Sequence, residues 1–340
     1  MAMLMNGPKC RKTDCCRRAV CSGDWYGAQE RERIKMAQFV KKMQGPPVIR
    51  AMSSNTVSDS YRDAISIAYQ YIGGCVPHIA FDFCGKQFET PIMAGPVGFP
   101  AKGKAESGVL GYARSVRDAG SVYWATFHDP EAWKQILAEG IPAIRVIKPL
   151  ADLDRIEEEI CFDTQHGALG YAMDIDHGLT AYGEQDGQEE RFAPKSVEEL
   201  KRLNAASPLP FFLKGVLSVH DALLAAEAGA AGIVVSGHNN RFPCAVPPLK
   251  ALPEIRRAVG DKLTILVDGG MNTGYDAFKA LALGADGVLS ARALVAAFVN
   301  EGEAGLTDKL LEMTAELKGA MANTGSVDLG HINADSVILP

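Results

Sequence analysis

The sequence has few long apolar runs. Although 47% of its 340 residues are hydrophobic, no stretch approaches the ~18 consecutive apolar residues needed to cross a bilayer. The apolar content is therefore expected in a folded core, with no membrane partner. Basic tracts are missing too. After residue 50 no Lys/Arg run dominates, and the net charge is -6, which sets nucleic acid aside as a partner. The opening residues hold no apolar signal region, because Lys9, Arg11, Lys12 and Asp14 interrupt it. A cytoplasmic location is the expectation that follows. There is no H-E-x-x-H spacing for a catalytic metal, and no G-x-G-x-x-G after the first apolar strand, which weighs against a dinucleotide-binding open sheet.

Cysteine is present but uneven. Cys75, Cys84, Cys161 and Cys244 are scattered and read as small buried hydrophobes or incidental thiols. Cys10, Cys15, Cys16 and Cys21 crowd into the N-terminus. Their spacing fits neither a zinc ribbon nor a common ferredoxin run. Three readings stay open for them: an iron–sulfur cluster or zinc held by thiolates, a redox-active or disulfide arrangement, or no specific role.

The remaining pattern is repetitive. Residues 1–30 read as a polar arm, 31–44 as a short amphipathic helix broken by Pro46-Pro47, and 60–73 as a second helix stopped by Gly73-Gly74. From there, short apolar runs alternate with turns and helical patterns. The runs at 91–95, 121–126, 143–148, 169–174, 209–214, 232–236, 263–268 and 287–290 suit parallel strands buried on both faces. Between them, Val219, Ala222, Leu223 and Ala226 make one helical face. Ser218 with Asp221 and Thr273 with Asp276 mark helix starts, and Gly229 and Gly284 mark stops. Eight strands alternating with helices predict an α/β fold, a (β/α)₈ TIM barrel over residues 85–335, with a helical, Cys-rich N-terminal extension over 1–84. An open doubly wound sheet is the runner-up. Residues 177–195, polar and acidic, are expected to form a flexible loop over the mouth.

Barrel chemistry sits at the C-terminal ends of the strands. Those ends read Asp174-Ile-Asp176-His177, Lys214-Gly215, Ser236-Gly-His238-Asn-Asn-Arg241, Asp268-Gly269-Gly270 and Ser290-Ala291-Arg292. An acid, a base and cations thus converge on one face. The last two ends suit a phosphate, because glycines admit close backbone approach and Arg292 adds a cation.

The order of these motifs, with Lys279-Ala-Leu-Ala-Leu-Gly-Ala285 and Met321-Ala-Asn-Thr-Gly325, resembles the FMN-dependent 2-hydroxy acid dehydrogenase/oxidase family. Val146-Ile-Lys-Pro149 and Met173-Asp-Ile-Asp176 look closer to a branch of anaerobe-type relatives that also carry an N-terminal cysteine cluster. The resemblance covers roughly residues 85–335. It implies oxidation of a small 2-hydroxy acid by hydride transfer to FMN, with His238 as base, Asp174 orienting it, Arg241 clamping the substrate carboxylate and Lys214 beside the flavin. It further implies that Ser236, Asp268, Gly269, Gly270, Ala291 and Arg292 contact the cofactor, with the backbone of Ala94, Gly95 and Pro96 along the ring. A homo-oligomer of four or more chains and an unspecified electron acceptor follow from the same likeness.

The sequence also departs from the family. The Gly-Gly pair of the histidine loop is Asn239-Asn240, and an expected arginine is Asn272. The strand-three tyrosine that touches substrate falls at about Arg145, which becomes the candidate second substrate cation. Asp176, His177 and His128 are read as structural residues. A non-redox flavin barrel, of the type 2 isopentenyl diphosphate isomerase kind, and a non-catalytic flavin-binding sensor are the alternatives. The isomerase would not need His238 with Arg241.

Overall fold

Short β-branched and apolar runs, too short for helices and bounded by turn residues, become the eight strands of a closed parallel barrel. These are β1 Ile92–Ala94, β2 Tyr123–Ala125, β3 Ala143–Ile147, β4 Gly170–Asp174, β5 Phe211–Val216, β6 Gly232–Val235, β7 Thr264–Val267 and β8 Gly287–Ser290. The order around the barrel follows the chain, and β8 closes on β1 through the Val288–Ile92 and Ser290–Ala94 pairs. The computed structural model describes residues 53–98, 108–126, 129–187 and 191–340. The chain divides into units Met1–Arg50 and Ala51–Pro340. The first, with the 31–44 helix expectation and Cys10, Cys15, Cys16 and Cys21, lies outside the described residues, as does His128.

Strand alternation sorts the core into two layers. Met93, Trp124, Ile144, Val146, Ala172, Phe212, Val234, Leu266 and Leu289 fill the barrel interior. Ala143, Ile147, Tyr171, Met173, Phe211 and Leu213 point outward beneath the helices. A hairpin of Phe81–Phe83 and Lys86–Phe88 adds three phenylalanines to the inner layer, with the Phe83 ring tilted against Phe212 at 5.4 Å between centroids. Each large apolar side chain so buried is worth about 1.5–3 kcal/mol.

The helix expected at 60–73 is a correction. The helix is Ser54–Ala64, and it stops because Ile65 turns to extended backbone. Ser66 and Ile67 then pair antiparallel with Ile338 and Val337 near the other end of the chain. A long-range strand pairing of this kind overrides local helix propensity. The last helical run, Arg292–Ala322, is broken at Gly302, where φ is 76°. Among the described residues no helix is long and apolar enough to cross a membrane.

Candidate active site

Lys214 and Asp174 are paired across the β4–β5 ladder, which brings a buried ammonium and a buried carboxylate side by side. Lys214 Nζ lies 3.2 Å from Asp174 Oδ1 and 3.5 Å from Asp268 Oδ2. Lys148, two residues beyond the inward-facing Val146, places its Nζ 2.5 Å from Asp174 Oδ2. Burial alone would raise the Asp174 pKa, but the Lys214 and Lys148 ammoniums outweigh it and hold the carboxyl well below the usual range. Burial opposes the charge on Lys214, yet Asp174 and Asp268 more than compensate and raise its pKa.

After Lys214 the strand bulges at Gly215, whose φ is +101°. A Cβ there would meet the Asp176 carboxyl carbon at 2.6 Å, so only glycine leaves room for Asp176. That carboxylate reaches across to the histidine loop. His238 Nδ1 is 2.9 Å from Asp176 Oδ2, but 3.8 Å from Asp174 Oδ1. The carboxylate that orients His238 is therefore Asp176, and Asp174 serves the two lysines. This corrects the role expected for Asp174 and the structural reading of Asp176.

The histidine loop itself is left-handed at His238, Asn239 and Asn240, with φ of 44°, 53° and 65°. Ser236 Oγ accepts from the His238 amide at 3.1 Å and fixes the turn. Asparagine tolerates this backbone better than most residues, and both asparagines add bonds that glycine lacks. Asn240 Oδ1 accepts from the Ser54 amide and hydroxyl, each at 2.7 Å, and Asn239 Oδ1 accepts from Asn55 Nδ2 at 2.9 Å. The loop thus caps the Ser54–Ala64 helix, whose own N-cap residue makes no side-chain bond.

On its other side, His238 Nε2 faces His177 Nε2 at 3.2 Å, and His177 Nδ1 lies 3.1 Å from Asp186 Oδ2. Burial first, then the charges of Lys148 and His238, push the His177 pKa down to about 4. Arg241 donates to Asp176 O at 2.6 Å, Leu179 O at 2.9 Å and Asp186 Oδ2 at 2.5 Å. Burial works against the Asp186 charge, but its bonds from Arg241 and the Gly187 amide prevail and lower its pKa. The described part of the 177–195 loop is thus tied to the mouth. Asp174, His177 and His238 bring ligand-capable atoms within 4.8 Å of one another. Both Asp174 oxygens already face ammoniums, which would repel a cation.

Arg145 does not join this group. Ile144 and Val146 point into the barrel, so Arg145 points out. It lies between the Trp133 and Phe162 rings and pairs with Asp163 at 2.9 Å. The expected second substrate cation is corrected: Lys148 occupies the inward position.

At the far side of the mouth, Gly269 and Gly270 have φ of +92° and +86°. Arg62 Nη1 donates to Gly270 O at 2.8 Å, and a Cβ on Gly270 would come 2.0 Å from that nitrogen. Arg62 is itself held by Asp59, Asp63 and Asp276. The Arg292–Ala322 helix begins where β8 ends and has no side-chain cap. Ser290 Oγ is buried without a partner among the described residues. Gly237, Gly269 and Arg292 line one small cavity with Ser54 and Asn239. Ala94 and Gly95 adjoin this end, the Gly95 amide donating to Ser290 O at 2.7 Å, and Pro96 follows. Open amides, a free hydroxyl and an arginine at an uncapped helix start are donors suited to a phosphate.

Lys148, Arg62 and Asp186 are site residues that motif reading missed. The signal for Lys148 is its i+2 spacing from Val146. No sequence signal singles out Arg62 or Asp186.

The family described as FMN-dependent dehydrogenase matches over residues 163–339. The L-lactate dehydrogenase of Caulobacter vibrioides (strain NA1000 / CB15N) is 39% identical over 176 residues, 49% of this chain and 46% of that protein. The chain thus spans about half the length of that relative. The 4-hydroxymandelate oxidase of Amycolatopsis orientalis is 32% identical over 284 residues, 73% of this chain and 79% of that protein. A solved mandelate oxidase variant with the C4a-OH-FMN adduct superposes with a TM-score of 0.76 at 27% identity, covering 86% of this chain and 92% of that one.

Proposed function

The chain belongs to the FMN-dependent dehydrogenase family, and from that premise we propose that it oxidises a small 2-hydroxy acid to the 2-keto acid, with His238 as the base. The observation that carries the reading is the convergence of His238, Asp176, Arg241 and Lys214 on one barrel end.

The residues present fit FMN. The uncapped helix start at Arg292, the unpartnered Ser290 hydroxyl and the Gly269-Gly270 turn would hold its phosphate, and Asp268 its ribityl chain. Lys214 would stand beside its ring. FMN, when bound, supplies the acceptor for the hydride leaving the substrate α-carbon. The chain's own residues do the rest. Asp176 fixes the His238 ring and stabilises the imidazolium formed when Nε2 takes the hydroxyl proton. Lys214 keeps its charge in a buried setting, where an ammonium stabilises developing negative charge more than it would in water. Arg241, now bonded to the Asp186 carboxylate, is the group that would receive a substrate carboxylate, Asp186 being displaced. Lys148 supplies the second cation at the mouth.

The test is to purify the protein without air, record its visible spectrum and add a panel of 2-hydroxy acids. The expected outcome is a flavin spectrum that bleaches with at least one acid, and a loss of bleaching in His238→Ala. A flavin spectrum unmoved by every acid would overturn the reading.

A further inference from the structure

The two imidazoles at the mouth meet nitrogen to nitrogen, and each ends on a carboxylate. Asp176 Oδ2 is 2.9 Å from His238 Nδ1, the two Nε2 atoms are 3.2 Å apart, and His177 Nδ1 is 3.1 Å from Asp186 Oδ2. An ionised carboxylate only accepts hydrogen bonds, so both Nδ1 atoms carry hydrogen. The central contact needs a hydrogen as well, since two bare lone pairs would otherwise oppose each other. Three hydrogens on two rings make one imidazolium. The row Asp176–His238–His177–Asp186 is thus the arrangement the two rings take once they share the proton that turnover delivers, and releasing that proton frees His238 Nε2 to act as base again.

The surroundings set where that proton rests. Lys148 just past β3, Asp174 at the end of β4, Asp176 and Asp186 in the segment after β4, Lys214 from β5 and Arg241 from the histidine loop all surround the pair. Burial and the Lys148 charge make His177 a poor place for that proton to stay. A group of low basicity passes a proton on and does not store it.

We propose that His177 is the relay that draws the proton off His238 between turnovers and delivers it through Asp186 to solvent. The inference rests on the reading of His238 as base. In the chemical step the substrate O–H bond breaks and its proton bonds to His238 Nε2. The C–H bond breaks with both electrons as a hydride for FMN, leaving the 2-keto acid. In the relay step the N–H bond at His238 Nε2 breaks as the proton bonds to His177 Nε2. The His177 Nδ1 proton then passes to Asp186, and no electrons move. A substrate hydroxyl bonded to His238 Nε2 takes the place that His177 Nε2 holds here, so proton uptake and proton release alternate. Asp186, with 26% of its side chain exposed against 18% for His177, is the outlet.

The experiment compares the wild-type holoenzyme with His177→Ala and His177→Gln, using the 2-hydroxy acid that bleaches the flavin fastest, in weakly buffered solution with and without added imidazole. The expected result is a kcat lowered roughly tenfold or more in both variants, with kcat/KM less affected. Imidazole should restore turnover in the alanine variant, which has room for it, and not in the glutamine variant. Proton NMR of the FMN-free protein should show a strongly deshielded imidazole N–H resonance in wild type that both variants lack. Variants that match wild-type kcat, or a loss in His177→Ala that imidazole does not relieve, would overturn the relay alone. A wild type that no 2-hydroxy acid reduces would overturn the functional reading, and the relay with it.

Discussion

At the scale of single residues, the contact with His238 that the sequence resemblance gave to Asp174 falls to Asp176. Asp174 is held between Lys148 and Lys214, while Asp176 touches His238. Asp174→Asn would leave the buried Lys214 ammonium short of its nearest counter-charge, at a cost of about 3 kcal/mol or more. Asp176→Asn would leave the core intact but remove the anchor of the base, lowering kcat/KM about 10²-fold or more. Urea unfolding and flavin reduction rates separate the two, and the reverse pattern would return the orienting role to Asp174. His238, Lys214 and Arg241 were legible in the sequence because each follows an apolar strand run closely enough for its position at the mouth to be read. Which carboxylate meets His238 was not legible, since the two differ by 0.9 Å in distance (3.8 less 2.9 Å). Such a margin depends on the backbone bulge at Gly215. Arg145 was misplaced for a simpler reason, one step of strand alternation, which turns a side chain to the opposite face of the barrel wall.

At the scale of elements, the eight strands were legible because parallel strands covered on both faces read as unbroken apolar runs. The Ser54–Ala64 helix was not, because its start depends on a residue far away in the chain. Asn240 supplies the acceptor for the helix's first amide and hydroxyl, a bond that no local pattern announces. Replacing a glycine of the family motif with asparagine therefore preserves the left-handed turn and gains a cap. Asn240→Gly should cost about 1–2 kcal/mol, from two lost hydrogen bonds. Asn240→Ala should cost about 1 kcal/mol more, because alanine resists the positive φ. Denaturant midpoints of the two variants check this order. Equal midpoints would mean that the turn is free to leave the left-handed region once its bonds are gone.

At the scale of the whole molecule, two buried groups on opposite sides of the barrel wall give the protein a pH response that neither shows alone. Outside the wall, burial raises the Asp163 carboxyl from 3.8 to about 6 despite its bonds to Arg145 and Trp133. The folded protein holds that proton more tightly than the unfolded chain, so this contribution is complete below about pH 4 and is lost as pH rises through 6. At the mouth, His177 moves the other way, from 6.5 to about 4. There the unfolded chain binds the proton more tightly, so stability falls as pH drops from 6.5 towards 4. Each shift corresponds to about 3 kcal/mol, and over this shared range they oppose each other. The barrel frame that places them was readable from periodicity, but this balance was not, because it depends on burial depth and partners at two distant sites. The wild type should therefore show only a weak dependence of stability on pH between 4 and 6.5. Asp163→Asn should become less stable as pH falls across that window, and His177→Ala more stable. Urea midpoints measured at several pH values for the three proteins decide it: parallel curves would mean that the two groups titrate alike in the folded and unfolded chains, whereas slopes of opposite sign would establish that each group sets its own half of the balance.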